Sequence, residues 1–89
     1  MKLVAESLVG PAIIRADTRL TGGCTGDLTV ASGATLELDG EVAGNLMVCG
    51  GAQAIIKGAV HGTVFDEGGV VRVLGAVRRM WRSEQPRFV

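Results

Sequence analysis

Hydrophobic and polar residues alternate over short stretches of this chain, as in Leu28-Thr-Val30, Leu36-Glu-Leu38 and Leu46-Met-Val48. A period of two is that of a strand with one buried face, and the runs are too short for helices. Between them sit the pairs Ser32-Gly33, Asp39-Gly40, Gly50-Gly51 and Lys57-Gly58, where glycine suits a tight corner. The pattern then returns. Three segments, GDLTVASGATLELDGEVA from Gly26, GNLMVCGGAQAIIKGAVH from Gly44 and GTVFDEGGVVRVLGAV from Gly62, align with their starts 18 residues apart. Upstream, Leu20, Gly22 and Cys24 match Leu38, Gly40 and Val42, then Ile56, Gly58 and Val60. The last copy has lost one residue, so Val73, Gly75 and Val77 take those places.

A coil of that length divides into three strands of about six residues with their corners, which predicts an all-β, single-domain triangular β-solenoid. About four coils of 17–18 residues are expected over residues 10–78. Residues 1–9 are read as an N-terminal cap or first strand, and residues 79–89 as a short C-terminal cap or tail. Stacked coils place like positions above one another, giving inward ladders such as Leu36/Ala54/Val71 and Leu38/Ile56/Val73.

Composition sharpens this picture. The chain has 89 residues, near the size where one core is only marginally sufficient. It is 47% hydrophobic, yet Phe65, Trp81 and Phe88 are its only aromatic residues, so the core must be aliphatic. The 14 glycines are spread along the chain, as turn positions are, and not gathered into a linker. Net charge is zero, which offers no electrostatic case for nucleic acid or an anionic membrane as partner. The charge is uneven all the same: residues 72–89 hold five Arg and only Glu84, making a basic end on an acidic body. Cys24 and Cys49 lack metal-ligand spacing and read as reduced thiols in or near the core. No apolar run approaches the ~20 residues of a membrane span, and the start, MKLVAESLVGP, is broken by Glu6. The chain is expected to be cytoplasmic.

Two families have triangular coils of this length. Val30, Leu36, Val42, Val48, Ala54 and Val60 fit the six-residue spacing of acyltransferase solenoids, but Leu20, Leu38, Ile56 and Leu74 fall where that pattern has a turn. The strings Val42-Ala-Gly-Asn-Leu-Met-Val48 and Val60-His-Gly-Thr-Val-Phe-Asp66 look like the V-x-G-x-[LIV]-x-[VI] phrase of the bactofilins. Over about residues 7–79 the chain resembles that family. The resemblance implies a right-handed solenoid and a bacterial cytoskeletal scaffold that polymerises end to end without nucleotide. The small number of coils and the lack of long Pro-rich tails depart from the family and argue against long filaments.

Candidate chemistry is sparse. His61 is the only histidine, follows inward Val60 and is expected in solvent, so it supports neither a metal cluster nor a catalytic base. Asp66 and Glu67 interrupt the rows Val30/Val48 and Ala31/Cys49, and are read as a strand ending early in the last coil. No nucleophile elbow, P-loop or dinucleotide fingerprint occurs, and Gly50-Gly51 and Gly68-Gly69 are corners. The expectation is therefore no catalytic, cofactor-binding or metal site, and no cofactor. Met47 and Phe65 share one outward position, and Ile55 is outward on another face.

The two ends hold the rest. Val77, Met80, Trp81 and Phe88 could form one apolar side of a short helix or a folded-over tail, with Arg78, Arg79 and Arg82 outward. Leu3, Val4, Leu8 and Val9 could cover the first coil. Met47, Phe65, Trp81, Phe88, Arg78, Arg79 and Arg82 are the candidate interface. These features predict a self-associating scaffold. The alternatives are a small protein-binding module, such as an inhibitor or immunity-type protein, and, less well supported, an acyltransferase-like solenoid.

Overall fold

The structure, a computed structural model, describes residues 2–82. Eleven strands occur among them: β1 (Lys2–Val4), β2 (Ala12–Ile14), β3 (Thr18–Leu20), β4 (Leu28–Val30), β5 (Thr35–Leu38), β6 (Glu41–Val42), β7 (Leu46–Val48), β8 (Gln53–Ile56), β9 (Ala59–Asp66), β10 (Val70–Val73) and β11 (Ala76–Arg82). Every pairing between them is parallel. One sheet runs β1-β3-β5-β8-β10 and a second β11-β9-β7-β4-β2. The third side is narrow, built from β6 on the first part of β9 and from single bridges joining Leu8, Cys24 and Val42. Successive strands of a sheet therefore come from successive turns of the chain, which is a parallel β-solenoid.

The register gives the inward rows directly. On the first sheet Thr18, Leu36, Ala54 and Val71 stack, as do Val4, Leu20, Leu38, Ile56 and Val73. On the second, Leu28, Leu46 and Val64 stack beside Ile14, Val30 and Val48. Cys24, Val42, Val60 and Val77 line the third side. Leu20, Leu28, Leu36, Leu38, Leu46, Ile56, Val30, Val42, Val48 and Val64 are fully buried. Each such side chain contributes roughly 1.5–3 kcal/mol when buried. The two inward ladders expected from the repeat are present.

The three corners are made differently. At the first, Gly22, Gly40, Gly58 and Gly75 stack so closely that a Cβ on Gly58 or Gly75 would land on the carbonyl oxygen of the glycine one coil earlier. At the second, a side chain completes the stack: Asp27 Oδ1 accepts the Asn45 N–H at 2.9 Å, and Asn45 Oδ1 accepts the Thr63 N–H at 2.8 Å. At the third, Gly33, Gly51 and Gly68 turn the chain with positive φ, where L residues are strained.

The solenoid has about five turns, one more than the repeat predicts. Lys2 pairs with Thr18 and Ile14 with Val30, so the first coil is 16 residues removed from the second. Its third corner is two residues shorter than that between Val30 and Leu36, and Asp17 spans the gap, its Oδ1 accepting the Thr35 N–H at 3.0 Å. At the other end β11 continues to Arg82, past the boundary expected at residue 78. No helix occurs among the described residues. The apolar side of a short helix expected from Val77, Met80 and Trp81 is instead strand: two residues of β9, His61 and Gly62, face Arg78 alone, a one-residue slip. That slip puts Val77 and Met80 on inward rows three residues apart, a spacing that imitates a helix.

Candidate functional site

The candidate interface residues divide by position. Register pairs Thr29 with Met47, Met47 with Phe65 and Phe65 with Trp81, so three of them form one outward row on the second sheet. The Phe65 and Trp81 rings lie 6.0 Å apart at 55°, a tilted aromatic contact across two coils. Trp81 is 49% exposed and Met47 38%, while Phe65 between them is half-buried. Ile13 pairs with Thr29 and extends the row to the first coil, also exposed. Sequence reading missed Ile13 because the shortened first coil put it out of the 18-residue register.

Arg79 pairs with Thr63, Arg78 sits at the slip, and both are exposed. Arg82 pairs in register with Asp66, not with the outward row. Phe88 lies outside the described residues. Asp66 corrects the reading of an early strand end: it is the last residue of β9, at the place where Val48 ends β7, a further coil lies over it, and it is only 8% exposed. Its Oδ1 accepts the Gly68 N–H at 3.2 Å, so the carboxylate shapes the corner.

On the first sheet the outward row is Leu3, Arg19, Glu37, Ile55 and Arg72. Two ion pairs cross between coils here, Arg19 Nε to Asp39 Oδ2 at 2.7 Å and Lys57 Nζ to Glu37 Oε1 at 2.9 Å. The hydrogen bond and the charge of Asp39 raise the pKa of the Arg19 guanidinium. Both pairs are solvent-facing and bias register more than they stabilise. This face is polar.

The narrow third side carries a shallow groove of about 270 Å³ bordered by Ser7, Thr25, Glu41 and His61, with Cys24 at its floor. His61 Nε2 and Glu41 Oε2 are 3.6 Å apart, both exposed. Cys24 is buried with its thiol 3.8 Å from the Asp27 carbonyl oxygen, so it packs as a small apolar group. Among the described residues no group of His, Cys, Asp and Glu is placed to hold a metal ion.

The core rows run out at both ends of the solenoid. At the C-terminal end the inward rows finish in Val71, Val73, Val77 and Met80, and the row of Ile14, Val30, Val48 and Asp66 reaches Arg82, with no described residue stacked beyond them. Val73 is 40% exposed and Met80 37%, although the residues beneath them, Ile56 and Val64, are wholly buried. At the N-terminal end the rows finish in Lys2, Val4, Leu8, Ala12 and Ile14.

Fold and surface together define a short parallel β-solenoid whose apolar core rows run to both ends and whose second sheet carries an outward row of Ile13, Met47, Phe65 and Trp81. Comparison with protein-family models, with curated proteins and with solved structures finds no match.

Proposed function

We propose that this protein is a non-catalytic, self-associating structural scaffold that assembles through its solenoid ends or faces, as the bactofilin resemblance implies. The observation that carries the reading is the C-terminal end, where Val71, Val73, Val77 and Met80 continue the core rows into solvent. An uncapped coil exposes both apolar surface and unpaired backbone groups, and solenoids either cap such ends or associate through them. Coils of about 18 residues and the V-x-G-x-[LIV]-x-[VI] phrase support placing it beside the bactofilins. The free thiols Cys24 and Cys49 suit the cytoplasm, where they would stay reduced.

A second reading is a binding module for one protein partner. It rests on the outward row of Met47, Phe65 and Trp81, since exposed aromatic residues beside arginine often dominate binding energy. Size-exclusion chromatography with light scattering over a concentration series separates the two. A scaffold gives a mass that rises above the monomer as concentration increases. A chain that stays monomeric at the highest concentration reached refutes self-association and leaves the binding module.

A further inference from the structure

The outward row on the second sheet is flanked by opposite charges placed symmetrically about its middle. We infer that two copies of the chain pack these sheets face to face with their solenoid axes opposed, Asp27 of each copy meeting Arg79 of the other. This rests on the self-association reading above and gives it a lateral contact, distinct from any at the ends.

Register sets out the face. Across β4, β7, β9 and β11 the central outward row is Thr29, Met47, Phe65 and Trp81. Two positions earlier on each strand stands a second row, Asp27, Asn45, Thr63 and Arg79, joined by the Asp27–Asn45 and Asn45–Thr63 hydrogen bonds and by the pairing of Thr63 with Arg79. Positions two apart point to the same side of a strand, so both rows belong to one face. Asp27 and Arg79 are exposed, and neither makes an ion pair among the described residues. They stand three coils apart, about 14 Å at the spacing of paired strands, too far to meet within one chain.

A two-fold axis that lies in the face, along the strands and midway between β7 and β9, sets β4 on β11 and β7 on β9 of the second copy. Asp27 then opposes Arg79 twice over. Asn45, whose oxygen already accepts the Thr63 N–H, has its amide N–H groups left to donate to the other copy's Thr63 hydroxyl. On the central row Met47 meets Phe65 and Thr29 meets Trp81, so the three large apolar side chains are covered together. On the far side Glu67 opposes Cys49, and no like charges meet on these rows. An axis along the solenoid would instead set Asp27 against Ala31 and Thr63 against Glu67, where Asp27 gains no partner. Every contact about the first axis is made twice, as an isologous interface requires, and that self-complementarity names a second copy as the occupant. Exposed ion pairs add little affinity but fix which way two apolar faces meet.

The test uses the full chain, with charges exchanged between copies. Arg79→Asp and Asp27→Arg, each alone, set like charges against each other and are expected to raise the dissociation constant by roughly tenfold or more. Mixed in equal amounts they are expected to associate as the parent does, because each supplies the charge the other lacks. Light scattering of the variants separately and together reads this. Arg72→Asp makes the same change of charge on the first sheet, and its mixture with Asp27→Arg should not recover. Asp27→Arg also removes the acceptor of the Asn45 N–H, so Asp27→Asn, which keeps an oxygen there, is the second probe. It is expected to keep the parent's circular dichroism and to raise the dissociation constant about threefold, as loss of exposed ion pairs does. A parent that associates while the mixture does not, or while Asp27→Asn changes nothing, overturns the opposed-face contact and leaves self-association standing. Recovery with Arg72→Asp overturns it too, by showing only a general attraction of opposite charges. A parent that is monomeric at every concentration overturns both.

Discussion

A Cβ placed on Gly58 would coincide with the carbonyl oxygen of Gly40, whereas one placed on Gly33 would meet nothing within 4 Å. The two glycines look alike in the sequence and are required for different reasons. Gly58 permits one backbone to lie against another, while Gly33 permits a positive φ. Gly58→Ala should therefore force coils apart and cost about 1–3 kcal/mol, as overpacking of a well-packed site does. Gly33→Ala should cost about 1 kcal/mol, the conformational penalty alone. Urea unfolding of the two variants beside the parent checks the difference, and equal losses would show that the corners are not built as described. Glycine corners were legible from the repeat, but their separate chemistry was not, since it depends on which backbone atoms face which. Asp66 shows the same limit. An acidic residue on an otherwise aliphatic row reads as a strand ending early, yet β9 reaches Asp66 just as β7 reaches Val48, and the carboxylate accepts a corner N–H.

At the scale of the element, a strand's contribution depends on whether it has a neighbour on both sides. Leu38 lies in β5, between β3 and β8, and is wholly buried; Val73, on the same row, lies in β10 at the open edge. Leu38→Ala is expected to cost about 2–5 kcal/mol through lost burial and a cavity. Val73→Ala, measured in dilute solution, should cost less than about 1 kcal/mol. Comparable losses at the two positions would mean that something covers the C-terminal row. The middle strands β4 to β9 were readable because their coils keep a strict spacing of 18, so like residues fall in register. The outermost strands were less clear, with residues 1–9 open between a cap and a first strand. Two residues missing at the corner spanned by Asp17 hid the register of β1 and β2, and the slip opposite His61 and Gly62 disguised β11 as helical spacing. Aligning Leu3-Val4 with Arg19-Leu20 across a two-residue gap would have exposed the first coil.

For the whole molecule, stability is carried by contacts between adjacent coils, so a complete coil should be removable where the register is kept. Excising residues 36–53 joins Thr35 to Ala54, which stands in the place of Leu36 on the same row. The shortened chain is expected to keep a β-type circular dichroism spectrum with a lower thermal midpoint. Loss of that spectrum would argue against coil-by-coil construction. The candidate surface was partly legible: Met47, Phe65 and Trp81 were recognisable as outward or terminal apolar residues, and the structure places them on one row. The row ends were not, because Lys2 and Arg82 fall on inward rows only once the first coil and the slip in β11 are in place. Hydrogen exchange measured peptide by peptide at low and high protein concentration tests the resulting account most directly, since amides at an open edge exchange readily until something pairs with them. Residues 70–82 are expected to gain protection as concentration rises. Protection there that is independent of concentration would contradict a scaffold that associates through its C-terminal end.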